Sequence, residues 1–154
     1  MKIGSYEIQV PFVTTSSDTV KTLIDIVEIT PGMKVIDLGS GDGRVILEFG
    51  KRKASVEGYE IKPELVERTL QRIHDAHLEE VVHVFNTSFW DVDLSQFDII
   101  YLYGMQSILG RLEQKLDKEM KPGAVFISNI FRLPHWKVKK TKNNVHLYTN
   151  SHAR

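Results

Sequence analysis

Apolar positions along the chain recur with two periods, one helical and one strand-like. Val20, Leu23, Ile24 and Val27 fall at i, i+3, i+4 and i+7, the apolar face of a helix that ends by Thr30-Pro31-Gly32. The hydroxyl cluster Thr14-Thr15-Ser16-Ser17 suits its start. Val35, Ile36 and Leu38 then form a short apolar run fit for a buried parallel strand, followed by a glycine-rich turn into a helix carrying Val45, Ile46 and Phe49 and ending near Gly50. Residues 55–59 read as a second strand. Pro63 suits a first helical turn, and Leu65, Val66, Leu70 and Ile73 are the expected buried face of that helix. Residues 81–85 and 97–103 read as the third and fourth strands, Ile108, Leu109, Leu112 and Leu116 mark another helix, and residues 124–129 make a fifth strand. Residues 136–140 and 145–149 alternate with period two around Asn143-Asn144, the pattern of a terminal hairpin. Helices alternating with about seven strands predict an α/β fold, a three-layer sandwich on a mainly parallel sheet.

The 154 residues fit one domain and leave no room for a separate substrate domain. The net charge is zero but unevenly spread: residues 1–120 hold 13 basic and 20 acidic residues, and residues 121–154 hold 7 basic and none acidic. The basic end reads as a solvated edge hairpin whose lysines block edge pairing, with an acidic protein surface or nucleic acid as alternative partner. Cysteine is absent, so thiolate metal sites are excluded. His74 and His77 have metal-compatible spacing but no third ligand, so no metal is expected. No run resembles a signal peptide or approaches a bilayer's width, which makes a cytoplasmic protein without a membrane anchor the expectation.

The chemistry concentrates at Asp37-Leu38-Gly39-Ser40-Gly41-Asp42-Gly43. Glycines there let a ligand approach the backbone. Asp37 at the strand end would repel a pyrophosphate and attract an amino group, and Arg44 stands where a nucleotide-binding loop has its third glycine. Glu60, at the end of the second strand, can accept hydrogen bonds from two ribose hydroxyls. The expected ligand is a nucleoside with a cationic amino-acid tail.

In these residues the chain resembles the class I, seven-β-strand S-adenosylmethionine-dependent methyltransferases, whose first motif is an acid followed by Gly-x-Gly-x-Gly. The resemblance implies a Rossmann-like sheet with an antiparallel C-terminal hairpin and S-adenosyl-L-methionine as cofactor. It implies that Asp37, Gly39, Ser40, Gly41 and Gly43 face the methionine moiety, that Glu60 and Ile61 hold the ribose side, and that Ser88 and Phe89 flank the adenine. The stretch Tyr101-Leu102-Tyr103-Gly104-Met105 lacks the Asn/Asp-Pro-Pro-aromatic tetrad of adenine-N6 and glutamine-amide enzymes. Val10-Pro11-Phe12-Val13-Thr14-Thr15, Phe89-Trp90-Asp91-Val92-Asp93-Leu94-Ser95 and Ser128-Asn129-x-Phe131 with Trp136 look like the small non-SET protein lysine methyltransferases. That group includes broad-specificity archaeal enzymes and the mitochondrial ATP synthase c subunit and adenine nucleotide translocase enzymes. By this analogy Phe12, Tyr103, Phe131 and Trp136 line a channel for a protein substrate's lysine, Thr14 or Thr15 reaches the cofactor's carboxylate, and residues 1–17 are a leader covering the cofactor beside a single domain, 18–154. Tyr101 is expected on the opposite side of its strand from Tyr103, as core. An RNA or small-molecule methyltransferase and a non-catalytic cofactor-binding module are the competing readings.

Overall fold

The structure, a computed structural model, describes residues 15–150 together with a short antiparallel pair, Lys2–Ile3 with Tyr6–Glu7. Its centre is a seven-stranded sheet built from β1 (Lys34–Leu38), β2 (Ser55–Tyr59), β3 (Val82–Phe85), β4 (Ile99–Leu102), β5 (Val125–Asn129), β6 (Lys140–Lys142) and β7 (Val145–Thr149). The strand order is β3-β2-β1-β4-β5-β7-β6. The first five strands are parallel, and β7 runs antiparallel to both β5 and β6. This is the expected Rossmann-like, mainly parallel sheet closed by an antiparallel C-terminal hairpin. The order reverses between β1 and β4, which opens a crevice at their carboxyl ends where open α/β sheets take their ligands.

One sheet face is covered by α1 (Ser17–Ile26) and α2 (Arg44–Lys51), with Ile73 of α3 (Pro63–Asp75), packed on Val35, Val56, Ile99, Tyr101, Ile127, Val145 and Leu147. The other is covered by α4 (Gln106–Glu119) and two single-turn 3-10 segments, packed on Ile36, Leu38, Ile100, Leu102, Phe126 and Tyr148. Ser16 from the hydroxyl cluster caps α1, its Oγ accepting the Thr19 N–H at 3.2 Å. Pro63 occupies the first position of α3, where its missing N–H costs nothing.

Three elements depart from the sequence pattern. The buried face of α3 is Leu65, Val66, Thr69 and Ile73, and Leu70 is 51% exposed. Thr69 takes the inward place because α3 packs against the glycine loop, where a small side chain is required. The first hairpin arm begins at Lys140 rather than Trp136. Glu113 on α4 accepts the N–H groups of His135 (2.7 Å) and Trp136 (2.9 Å) at Oε2, and so diverts the backbone donors that a strand would offer its neighbour. Helix α1 stops at Ile26, and Val27 is its extended C-cap.

Candidate active site

The loop after β1 turns through three glycines with φ of +87° (Gly39), +58° (Gly41) and +85° (Gly43), values that side-chain-bearing residues resist. Close packing adds a second demand at Gly43, where a Cβ would lie 2.5 Å from the Thr69 methyl group. Gly39 is different: it is exposed and its Cβ position has no atom within 4 Å, so the loop is open to a ligand there. Gly58, level with Asp37 on β2, leaves room for Ser40, whose Oγ would be 2.7 Å from a Cβ at that position.

Charged side chains hold this loop in shape. Glu60 accepts the Gly41 N–H at Oε1 (2.9 Å) and the Lys62 N–H at Oε2 (3.0 Å), and each carboxylate oxygen keeps a further lone pair for a ligand hydroxyl. Asn86 Nδ2 donates to the Glu60 carbonyl at 3.0 Å. Asp42 receives Arg44 Nη2 at 2.8 Å and faces Arg72 at 3.6 Å. Burial acts to raise the Asp42 pKa, but the Arg44 hydrogen bond and the two guanidinium charges outweigh it and hold the carboxyl below the usual range. Arg44 Nη1 also donates to the Thr15 carbonyl at 3.1 Å, which ties the residues before α1 to the loop.

Asp37 is the exception in this well-paired neighbourhood. It is 2% exposed, and its Oδ1 is enclosed without a hydrogen-bond partner among the described residues. Burial, with the Glu60 charge adding to it, pushes its pKa well above the ordinary value. The enclosed Ser40 Oγ and Tyr101 hydroxyl also lack partners among the described residues. Asp37 and Tyr101 are Cα partners across β1 and β4, so they share a sheet face on the two sides of the crevice. Burial, and then the Asp37 charge, push the phenol's pKa up, and outweigh the Thr15 and Asn129 side chains, which approach it and act to lower it. A buried carboxylate and a hydroxyl without partners among the described residues, next to an open glycine turn and a buried phenol, fit a ligand that brings an ammonium group and its own polar atoms.

Residues 37–140 match the family described as ANTKMT methyltransferase domain. The chain belongs to that family. Its cofactor is S-adenosylmethionine, and the orphaned Asp37 carboxylate and the open Gly39 turn suit the cofactor's amino-acid end. The chain is 30% identical over 140 residues to a protein-lysine N-methyltransferase of Saccharolobus islandicus, covering 88% of this chain and 86% of the relative. It is 37% identical over 134 residues to the adenine nucleotide translocase lysine N-methyltransferase of Mus musculus, covering 84% of this chain and 56% of the relative. It thus spans little more than half of that second protein. Among solved structures, an RNA methyltransferase from Salinibacter ruber bound to S-adenosyl-L-homocysteine superposes with a TM-score of 0.85 at 25% identity, over 89% of this chain and 93% of the other.

The other sequence candidates are dispersed. Phe12 and Thr14 lie outside the described residues, as does most of the expected leader, 1–17; Thr15 is buried beside the loop. Ile61 is half-buried directly after Glu60. Ser88 caps a 3-10 turn, its Oγ accepting the Trp90 N–H at 3.3 Å. Phe89 is buried in the α4-side core and packs on Trp90 at a centroid distance of 4.7 Å, while the Arg111 guanidinium lies 4.0 Å from the Trp90 ring centre. Tyr103 is half-buried against the α1/α2 side of the sheet, whereas Phe131 (half-buried) and Trp136 (buried) pack on the α4 side. Tyr103 and the other two therefore approach the carboxyl edge from opposite faces.

Tyr101 and Tyr103 do not oppose one another as expected: both pack on the α1/α2 side, Tyr101 in β4 and Tyr103 just beyond its end, as residues two apart along an extended chain do. Tyr101, Gly58 and Thr69 are the participants that sequence reasoning passed over. A glycine inside a strand pattern was the available signal for Gly58, since it marks close approach of another chain segment.

Proposed function

We propose that this methyltransferase acts on the lysine ε-amine of protein substrates. The observation that carries the reading is the similarity, at 30% identity over most of both chains, to a protein-lysine N-methyltransferase. The residues at the carboxyl edge support it. Tyr103 follows β4 and Phe131 follows β5, both half-buried, so an aliphatic amine that reaches the carboxyl edge meets an aromatic ring on either face of the sheet. When bound, the cofactor supplies a sulfonium methyl group open to in-line displacement. The acceptor ammonium, with an unperturbed pKa of about 10.4, must lose its proton first, and an apolar aromatic surround favours the neutral amine. Aromatic faces also hold the cation before that loss. Tyr103 then sets the amine's approach, and alignment is the main contribution to rate. Phe12, which lies outside the described residues, and Trp136, buried on the α4 side, are the other residues proposed for the acceptor side.

A second reading is transfer to RNA, favoured by the 0.85 TM-score to the RNA methyltransferase and by the basic run from Arg132 to Lys142. The two separate in one assay, which offers labelled cofactor to mixed cell protein before and after chemical blocking of its lysines. Loss of label on blocking supports the lysine reading. Label that survives blocking and disappears with ribonuclease supports the second, with binding that weakens steeply as salt rises.

A further inference from the structure

Ile130, the residue after β5, has φ of +74°, a value that is a genuine outlier for a β-branched side chain. The Phe131 N–H donates to the Asn129 carbonyl at 3.0 Å, so Ile130 sits at the centre of a three-residue γ-turn, with the positive φ of its strained form. The conformation is fixed from several directions. The Ile130 N–H donates to the Asn144 carbonyl at 2.7 Å, and Ser128 Oγ donates to the Phe131 carbonyl at 2.5 Å. His146, 3% exposed, lies with Nε2 3.0 Å from the Ile130 carbonyl and Nδ1 2.9 Å from Thr141 Oγ1. A carbonyl only accepts, so Nε2 carries the proton, and in the neutral ring Nδ1 accepts the Thr141 hydroxyl. The C-terminal hairpin thus braces this one turn.

Glycine would adopt the same turn without strain. Here the position carries instead an isoleucine that is 45% exposed, at the carboxyl edge of the sheet between buried Asn129 and half-buried Phe131. A single exposed apolar residue is ordinary; one held rigidly in a costly conformation beside a catalytic crevice is not. We propose that Ile130 is a specificity-determining contact for the acceptor, an apolar surface that favours polypeptides with an aliphatic or aromatic residue next to the methylated lysine. The inference rests on the lysine reading above.

The test compares wild type with Ile130→Gly and Ile130→Ala on heat-denatured mixed cell protein and labelled cofactor, with modified sites mapped by mass spectrometry. Ile130→Gly removes side chain and strain together, and Ile130→Ala removes most of the side chain and keeps the strain. Wild-type sites should be enriched about three- to tenfold in apolar residues within two positions of the modified lysine, the range expected for one small apolar contact. Both variants should lose that enrichment and bind S-adenosylmethionine as wild type does, and Ile130→Gly should melt no lower than wild type. Identical flanking residues in all three proteins, or no enrichment in wild type, overturn the inference while leaving the lysine reading intact. Absence of label on any lysine overturns the lysine reading, and this inference with it.

Discussion

The substitution Asp37→Asn should raise the stability of the free protein and weaken cofactor binding. The carboxylate is enclosed with one oxygen unpaired and with Glu60 as an added source of repulsion. An unpaired buried charge costs more than an unpaired neutral polar group, and the amide keeps the shape while removing the charge, a gain on the order of 1–3 kcal/mol. For a chain of this size each kcal/mol moves Tm by about 2–4 °C, so Asp37→Asn should melt about 2–12 °C higher at neutral pH. The pH dependence has a definite sign. The native Asp37 pKa lies above its unfolded value, so the native state keeps a proton that the unfolded chain has lost. Wild-type stability therefore falls as pH rises from the ordinary aspartate value through the raised one, and the advantage of the amide variant is absent below that window and full above it. Cofactor binding moves the other way: loss of a charge-assisted hydrogen bond of about 1.5–3 kcal/mol weakens it about 10- to 150-fold. Calorimetric titration and thermal melts between pH 4 and 8 give both numbers. An Asp37→Asn protein that melts lower than wild type and binds S-adenosylmethionine as tightly would show that this carboxylate neither costs stability nor holds the cofactor.

Other substitutions separate loop geometry, core support and the acceptor side. Gly43→Ala meets the Thr69 methyl at 2.5 Å with φ at +85°, and should destabilise by about 1–3 kcal/mol in denaturant titrations while lowering cofactor affinity. Glu113→Ala strips two backbone N–H groups of their carboxylate acceptor, so it should cost about 3 kcal/mol and loosen the Trp136 segment, seen as faster hydrogen exchange at residues 135 and 136. Tyr103→Phe should keep most of the transfer rate and Tyr103→Ala should lose about tenfold or more in kcat/KM with cofactor affinity unchanged, because the proposed role belongs to the ring and to alignment.

The parallel strands and the cofactor loop were legible in the sequence because each rests on local chemistry. Val35, Ile36 and Leu38 are apolar without alternation, as a strand covered on both faces requires, and an acid before three spaced glycines has few structural meanings. What was not legible depends on contacts between distant segments. Nothing near Trp136 announces that Glu113, more than twenty residues earlier, captures its N–H and keeps it out of the hairpin. Leu70 looks a better core residue than Thr69 until the glycine loop is seen to press on that turn of α3. The strained turn at Ile130 is equally silent, since its sequence carries no glycine or asparagine at the position of positive φ. Tyr101 was legible in principle: period two puts it on the face it shares with Tyr103, and the register puts it level with Asp37.

Transfer of a methyl group from S-adenosylmethionine to protein lysine is the activity proposed for this chain. The most direct measurement incubates the purified protein with methyl-labelled cofactor and, in parallel, mixed cell protein, total RNA and a small-metabolite extract, followed by mass spectrometry of each labelled fraction. Label in the protein fraction, on lysine side chains, is the expected result. Label confined to RNA or to metabolites, with the protein fraction silent, would contradict it.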